Sequence, residues 1–176
     1  RVSRSYTGQY LKRILPDGRE EHREYDAVGN LVKLVDFEVK TTTFRYDVDN
    51  DWLIERKYEG VVEATFGYTA TGRREWAEDA RGRTTYRYDY EDRMTGVTYP
   101  DGRKLEIAYD ANGNRVSVEV TLADGTVLPV VTYTYDDASR VDLVKDLLGR
   151  ENDLGYDDNG NRASLAYANG TFTSYT

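Results

Sequence analysis

Three aspartates separated by single residues, Asp47, Asp49 and Asp51, have the spacing of the first ligands in a calcium-binding loop. A loop of the EF-hand type also requires glycine at its sixth position and glutamate at its twelfth. Those positions hold Trp52 and Tyr58. We therefore interpret the segment as a polar turn, and we predict no metal site.

Carboxylates are abundant, but nothing in the sequence singles out a pair of them for acid–base chemistry. With 32 Asp and Glu residues in 176, pairs with glycosidase-like spacing arise by chance. His22 is the only histidine, and the chain has neither a cysteine nor a Gly-x-Ser-x-Gly nucleophile elbow. The sequence predicts a protein that is not an enzyme and needs no cofactor.

The two tryptophans, Trp52 and Trp76, are candidates for ligand stacking. They follow two tyrosines of the repeat described below by six and eight residues, so we expect both on one face of the returning strands. Exposed indoles could stack on sugars. The alternative, which we favour, is that they pack within the sheet at positions equivalent to Leu31 and Met94.

The chain is dominated by a repeat whose clearest copy is Tyr109-Asp110-Ala111-Asn112-Gly113-Asn114-Arg115. Before it, Leu105, Ile107 and Tyr109 alternate with other residues as in a β-strand. The Asp110 carboxylate can accept a hydrogen bond from the backbone two residues later, and Gly113 supplies the positive φ that closes a type I turn with a bulge. The copy therefore predicts a strand, a tight turn and a returning strand.

The same arrangement occurs seven times, with spacings of 21, 22, 20, 21, 26 and 21 residues. The tyrosines that head the copies are Tyr25, Tyr46, Tyr68, Tyr88, Tyr109, Tyr135 and Tyr156. The turns begin at Asp26, Asp47, Thr69, Asp89, Asp110, Asp136 and Asp157. The predicted left-handed positions are Gly29, Asn50, Gly72, Asp92, Gly113, Ser139 and Gly160. Serine is poorly suited to that conformation, so we predict a different turn at Ser139.

A second turn is predicted about midway between successive tyrosines. It is marked by Gly60, Gly82, Gly102, Gly125, Gly149 and Gly170. Each unit then holds two strands and two turns, which predicts an all-β, antiparallel meander of repeated hairpins with about fifteen strands. A meander of that length must curl, so we expect a curled open strip or a segment of a spiral shell.

The whole chain, residues 1–176, is interpreted as a single repeat array with an insertion near 123–129. Its first unit, 1–24, is degenerate: either Arg4 occupies the tyrosine position, or Tyr6-Thr7 begins a shortened turn. Tyr175 lies two residues before the next expected tyrosine, so we expect the array to be cut at its C-terminus. Open sheet edges predict end-to-end copies that add strand on strand.

The charge of the chain restricts its partners. A formal net charge of −8 argues against nucleic acid and anionic membrane surfaces, which require a basic face. No segment approaches the roughly 20 apolar residues that span a bilayer, so membrane insertion is not expected.

The repeated Tyr-Asp-x-x-Gly-Asn pattern resembles the YD repeat of the Rhs family. Two further near-ideal copies are Tyr25-Asp26-Ala27-Val28-Gly29-Asn30-Leu31 and Tyr156-Asp157-Asp158-Asn159-Gly160-Asn161-Arg162. The resemblance implies a β-strip that spirals into a hollow shell. In bacterial Rhs and toxin-complex proteins such a shell encloses a toxic domain, and in teneurins a related shell takes part in adhesion.

From this resemblance we expect a secreted or cell-surface, non-enzymatic segment that scaffolds or encapsulates a toxin or other cargo. Some YD-repeat proteins are linked to carbohydrate binding, so a carbohydrate-binding or adhesion module with an aromatic face is the alternative. The Asp-Pro-containing motif of self-cleaving members is absent, because the three prolines follow Leu15, Tyr99 and Leu128.

Overall fold

The computed structural model describes residues 2–5 and 8–175, which form seventeen β-strands and no helix. The all-β class is confirmed, with two more strands than the approximate number predicted. The chain divides into two compact units, residues 1–84 and 85–176. In the described part of the chain, no helix is long and apolar enough to cross a membrane.

The first unit contains eight complete strands, which are joined in chain order by seven antiparallel pairings. They are β1 (Val2–Arg4), β2 (Tyr10–Ile14), β3 (Glu20–Tyr25), β4 (Leu31–Val35), β5 (Thr41–Tyr46), β6 (Leu53–Tyr58), β7 (Val61–Tyr68) and β8 (Arg74–Asp79). The ninth strand, β9 (Gly82–Tyr88), begins in this unit and continues into the second.

The second unit continues the meander, and its strands also pair with their chain neighbours. They are β10 (Met94–Thr98), β11 (Lys104–Tyr109), β12 (Arg115–Thr121), β13 (Val131–Tyr135), β14 (Val141–Lys145), β15 (Glu151–Tyr156), β16 (Arg162–Ala166) and β17 (Phe172–Ser174). This is the predicted arrangement of two strands per repeat.

The sheet in each unit has two chemically different faces, because side chains alternate along a strand. In β5, Phe44 and Tyr46 are half-buried on one side, whereas Arg45 between them is exposed on the other. We call the side that carries the heading tyrosines the tyrosine face, and the opposite side the charged face. On the charged face, ion pairs such as Lys33 with Glu24, 2.8 Å apart, join neighbouring strands.

The strand register shifts by one residue next to each heading tyrosine. The shifts fall at Glu24/Tyr25, Arg45/Tyr46, Gly67/Tyr68, Ala108/Tyr109, Thr134/Tyr135 and Gly155/Tyr156, and on the partner strand of Tyr88 at Met94/Gly96. These are β-bulges, which bend a strand and increase its twist. The repeat therefore places one bend beside every turn that a tyrosine heads.

Neither unit has a deep core. Among the described residues, the buried apolar side chains are Ala64 and Val97, with exposures of 8% and 6%. All other apolar side chains in that part of the chain retain some contact with solvent. The units therefore depend on contacts between neighbouring strands, as repeat proteins do.

The 26-residue spacing lies in the hairpin between β12 and β13. The Leu122 N–H donates to the Thr126 carbonyl at 2.8 Å, which closes a five-residue turn. Beyond the turn, Val127 forms a single bridge with Thr121, and β13 begins only at Val131. The additional residues therefore lengthen the returning side of this hairpin.

Candidate functional site: the turns headed by tyrosine and aspartate

The turn at Asp110 shows how one carboxylate organises the loop. The Asp110 N–H donates to the Asn114 carbonyl at 2.9 Å, and the Gly113 N–H donates to the Asp110 carbonyl at 3.1 Å. Asp110 Oδ1 accepts from the N–H groups of Asn112 and Asn114 at 2.9 and 2.8 Å. Its Oδ2 accepts from Asn114 Nδ2 at 3.0 Å. With φ of 86° at Gly113, this is the predicted type I turn with a bulge.

Hydrogen bonding holds these carboxylates in their charged form. The side-chain hydrogen bond from Arg140 lowers the pKa of Asp136, helped by backbone N–H donors. The side-chain hydrogen bond from Asn161 does the same to the pKa of Asp157, without a cation. Hydrogen bonds to an ionised carboxylate favour ionisation, so each turn is strongest when its aspartate is charged.

The prediction of a different turn at Ser139 was wrong. Ser139 has φ of 59°, and its N–H donates to the Asp136 carbonyl at 2.9 Å, as glycine does in four of the other copies. The Asp136 N–H also bonds the Arg140 carbonyl at 2.9 Å. These bonds and the Asp136–Arg140 ion pair outweigh the cost of placing a serine in the left-handed region.

The predicted left-handed position at Asn50 was also wrong. The positive φ of 59° belongs to Asp51, and the turn is closed by Asp47 N–H to the Trp52 carbonyl at 2.8 Å. One additional residue in this turn accounts for the 22-residue spacing. Asp47 Oδ1 accepts from the N–H groups of Asp49 and Asn50 at 3.1 and 2.8 Å, so the Asp47 carboxylate caps a polar turn.

The degenerate first repeat, residues 1–24, has a turn with the same two backbone bonds: Ser5 N–H donates to the Gln9 carbonyl at 2.8 Å, and Gly8 N–H donates to the Ser5 carbonyl at 3.0 Å. The strand register shifts beside Arg4. The alternative turn start, Tyr6-Thr7, lies outside the described residues. The boundaries of this unit and of the array stay a prediction.

Five heading tyrosines connect their repeat to the preceding one through the phenol hydroxyl. Each hydroxyl donates to the carbonyl of the residue that begins the previous repeat's returning strand, at 2.8 to 3.0 Å. The pairs are Tyr46 to Leu31, Tyr68 to Leu53, Tyr109 to Met94, Tyr135 to Arg115 and Tyr156 to Val141. The separation is 15 residues in four cases and 20 at the long hairpin.

The phenol remains a donor in this setting. Desolvation by burial raises the pKa of Tyr46, and the negative charge of Asp26 adds to the effect. A raised pKa keeps the hydroxyl protonated, which is the form that can donate to the Leu31 carbonyl.

A second contact between repeats is made by the residue that closes a turn. The Arg93 guanidinium lies over the Tyr109 ring, 4.8 Å from its centroid, and a Cβ at Gly113 would lie 3.4 Å from Arg93 Nη1. Trp52 takes the same place in the first unit: its ring centroid is 5.2 Å from that of Tyr68. A residue larger than glycine at Gly72 or Gly113 would therefore meet a side chain of the preceding repeat.

The two tryptophans do not form a shared platform, contrary to the expectation of one common face. Trp52 packs on the tyrosine face against Tyr68. Trp76 pairs with Gly67 in the strand register, which places it on the charged face, because Gly67 alternates with Tyr68. The Arg83 guanidinium covers its ring at 4.1 Å. Both indoles are half-buried, so their packing does not favour the glycan-binding alternative.

Comparisons with known proteins agree with this architecture. The teneurin YD-shell model matches residues 22–126, which is 105 of the 176 residues. The chain belongs to the teneurin YD-shell family. The RHS repeat model matches residues 109–151. No individual curated protein matches this YD-shell chain in sequence.

Solved structures share the fold of this YD-shell chain. A crystal structure of TcdB2-TccC3 without its hypervariable C-terminal region superposes with a TM-score of 0.74 at 19% identity. The Photorhabdus luminescens Tc holotoxin pore carrying a TccC3 mutation gives the same values. Each match covers 98% of this chain but 11% of the other. The likeness therefore establishes the fold, over a small part of a much longer chain.

Proposed function

We propose that this chain is a non-enzymatic wall segment of a YD-repeat shell, which scaffolds or encloses a toxin or another cargo. The observation that carries the proposal is the hydroxyl-to-carbonyl bond that five heading tyrosines make to the preceding repeat. The most regular chemistry in the chain thus joins one repeat to the next. Such contacts build an extended wall, and they occupy the tyrosine hydroxyls that would otherwise be free to bind another molecule.

Three further features support a wall. The aspartates are used to cap turns, and hydrogen bonding lowers the pKa of Asp136 and Asp157. The turn-closing residues Trp52 and Arg93 pack on the next repeat. The charged face carries cross-strand ion pairs, which contribute little stability when exposed but keep a large surface compatible with water.

The nature of the cargo is inferred from the structural neighbours. Two of them are TcdB2-TccC3 and a Tc holotoxin pore, so a toxin is the favoured cargo. The proposed partners are neighbouring repeats of a longer wall or end-to-end copies. The proposed location is secreted or at the cell surface.

A graft tests the wall function directly. The segment of the TcdB2-TccC3 chain that superposes on this chain would be replaced by it, and protection of the hypervariable C-terminal region from protease would be measured. We expect protection comparable to that of the parent shell. The same graft carrying Tyr109→Ala and Tyr135→Ala is the matched control, and we expect protease to cleave the C-terminal region in it.

Two results would contradict the proposal. One is a graft in which this segment is folded by hydrogen exchange while the cargo remains open to protease. The other is a specific signal on a glycan array that Trp52→Ala or Trp76→Ala abolishes, which would support the binding module.

A further inference from the structure

The tyrosine face of the first unit changes character at its first three strands. The register pairs Val2 with Arg13 and Arg13 with Glu21, so these three side chains form a row across β1, β2 and β3. Arg23 follows Glu21 by two residues and shares its face. Two arginines and one glutamate thus occupy a face that is mainly apolar in the later repeats.

The contrast is sharpest at the position of Arg23, two residues before a heading tyrosine. The corresponding residues of the other six repeats are all apolar or aromatic. They are Phe44, Phe66, Tyr86, Ile107, Tyr133 and Leu154. An arginine at this position buries less apolar surface than those residues do. This indicates that the arginine is present for a reason other than the stability of the sheet.

Arg23 is held in place but incompletely satisfied. Its Nη2 lies 2.8 Å from Glu21 Oε1, and the Glu21 side chain is only 14% exposed. Arg23 Nε is buried and has no hydrogen-bond partner among the residues that the structure describes. An unsatisfied buried donor is costly, so a ligand oxygen at this nitrogen would be favourable.

A second guanidinium group, that of Arg13, lines the same cavity as Arg23. Arg13 lies over the Phe37 ring at 5.5 Å, and it makes no ion pair with any residue in the ranges 2–5 and 8–175. Stacking on an aromatic ring orients a guanidinium and leaves its N–H edge free to bind an oxyanion.

These side chains surround an open cavity of about 320 Å³, lined by Val2, Tyr10, Arg13, Glu21 and Arg23. We propose that this cavity binds a carboxylate of an acidic peptide segment of a partner protein. Arg13 and Arg23 bind the carboxylate oxygens, Glu21 orients Arg23, and Val2 and Tyr10 pack against the aliphatic part of the acidic side chain.

Charge favours a peptide carboxylate over nucleic acid. Glu21 lies in the cavity, and a phosphate of higher charge would meet more repulsion there than a single carboxylate. The chain as a whole has a net charge of −8, which opposes an extended polyanion such as DNA. The cluster therefore fits a local, singly charged group next to apolar surface.

Fluorescence anisotropy tests the proposal with the full chain and a rhodamine-labelled peptide that carries a single glutamate among alanines. We expect saturable binding that weakens as salt is added, and no binding of the same peptide with glutamine in place of the glutamate. Arg13→Gln and Arg23→Gln should each weaken the affinity about tenfold or more, since a charge-assisted hydrogen bond is lost.

Arg103→Gln is the matched control, because Arg103, like Arg13, lies over an aromatic ring, 5.5 Å from the centroid of Tyr99, but is already paired with Asp101 at 2.7 Å. We expect this variant to bind like the parent. Circular dichroism would confirm that all three variants are folded. The proposal is overturned if the glutamate peptide does not bind, if the cavity variants bind as well as the parent, or if oligothymidylate binds more tightly than the glutamate peptide.

Discussion

Two kinds of turn follow the heading tyrosines of the second unit. The turns Asp89–Arg93 and Asp136–Arg140 are closed by arginine, and they carry Asp92 or Ser139 at the left-handed position, with φ of 60° and 59°. The turns of the next repeats, at Asp110 and Asp157, are closed by asparagine and have glycine there.

The difference shows that a turn closed by arginine contacts the turn of the following repeat, which has glycine at the left-handed position. Arg140 bonds the aspartate of its own turn at 2.7 Å and also lies over the Tyr156 ring of the next repeat at 4.4 Å. A Cβ at Gly160 would lie 3.5 Å from Arg140 Nη1. Arginine thus supports the following turn, and glycine there provides both the positive φ and room for the arginine.

Acid is expected to have the largest effect, because it acts on both kinds of turn. The pKa of Asp136 and that of Asp157 are lowered from the ordinary value of 3.8, so their stabilisation is complete above that value. It is lost as the pH falls through the lowered pKa values. Urea unfolding between neutral and strongly acidic pH should show this loss.

Two variants separate the kinds of turn in that experiment. Asp136→Asn and Asp157→Asn should each make the free energy of unfolding depend less on pH in the acidic range. Added salt should weaken the contribution of Asp136, which faces a cation, more than that of Asp157, which faces an amide. Stability that does not change with acid would contradict the role of the carboxylates.

A side chain at Gly113 should be the most damaging substitution. Gly113→Val forces a β-branched residue into the left-handed region, at a cost of about 1 to 2 kcal/mol, and also displaces Arg93. Gly125→Val is the matched control, because Gly125 has φ of 87° but a Cβ there would meet no heavy atom within 4 Å. Urea midpoints should fall further for Gly113→Val, and an equal fall would contradict the packing role of Arg93.

Removal of the arginine should weaken both its own turn and the next one. Arg93→Met keeps the aliphatic stem but loses the 2.8 Å bond to Asp89 and the contact with Tyr109. We expect a lower thermal midpoint, whereas Arg103→Met, whose ion pair stays within its own turn, should have little effect. In a double-mutant cycle, the excess cost of Gly113→Val should disappear in the Arg93→Met background.

The smallest expected effect is a gain. Ser139→Gly relieves left-handed strain of about 1 kcal/mol or more but adds unfolded-chain entropy worth about 0.5 to 1 kcal/mol, so we expect stabilisation of about 0.5 kcal/mol. Ser117→Gly, within strand β12, has no strain to relieve and should destabilise. Chemical denaturation of both variants checks the sign, and a loss of stability at Ser139 would contradict the account of this turn.

The sequence was sufficient for the local structure of each repeat. The alternation around Ile107 and Tyr109, the capping aspartate and the glycine each have a local cause, so they predict strands and turns without knowledge of neighbours. At Ser139 the local preference of serine gave the wrong answer, because Asp136 and Arg140 stabilise the turn from either side.

Contacts between repeats could not be read from the residues of one copy. The Tyr109 hydroxyl bonds a carbonyl 15 residues earlier, and that atom lies within reach only because of the strand register. The nearly regular spacing was a signal for this contact, since hairpins of similar length bring equivalent atoms together in successive repeats. The placement of Trp52 and Trp76 on opposite faces likewise depends on a β-bulge. The number of residues by which each tryptophan follows its tyrosine does not specify that bulge.

The central claim is that the hydroxyls of the five heading tyrosines described above join neighbouring repeats, and amide hydrogen exchange of Tyr109→Phe tests it most directly. Removing this hydroxyl deletes one hydrogen bond, worth about 1 kcal/mol, and leaves the ring in place. Tyr90→Phe is the control, because Tyr90 is 92% exposed. We predict faster exchange confined to β10, β11 and the turn at Asp110, with the control unchanged. Exchange that stays at the parent rate in these segments would contradict the account.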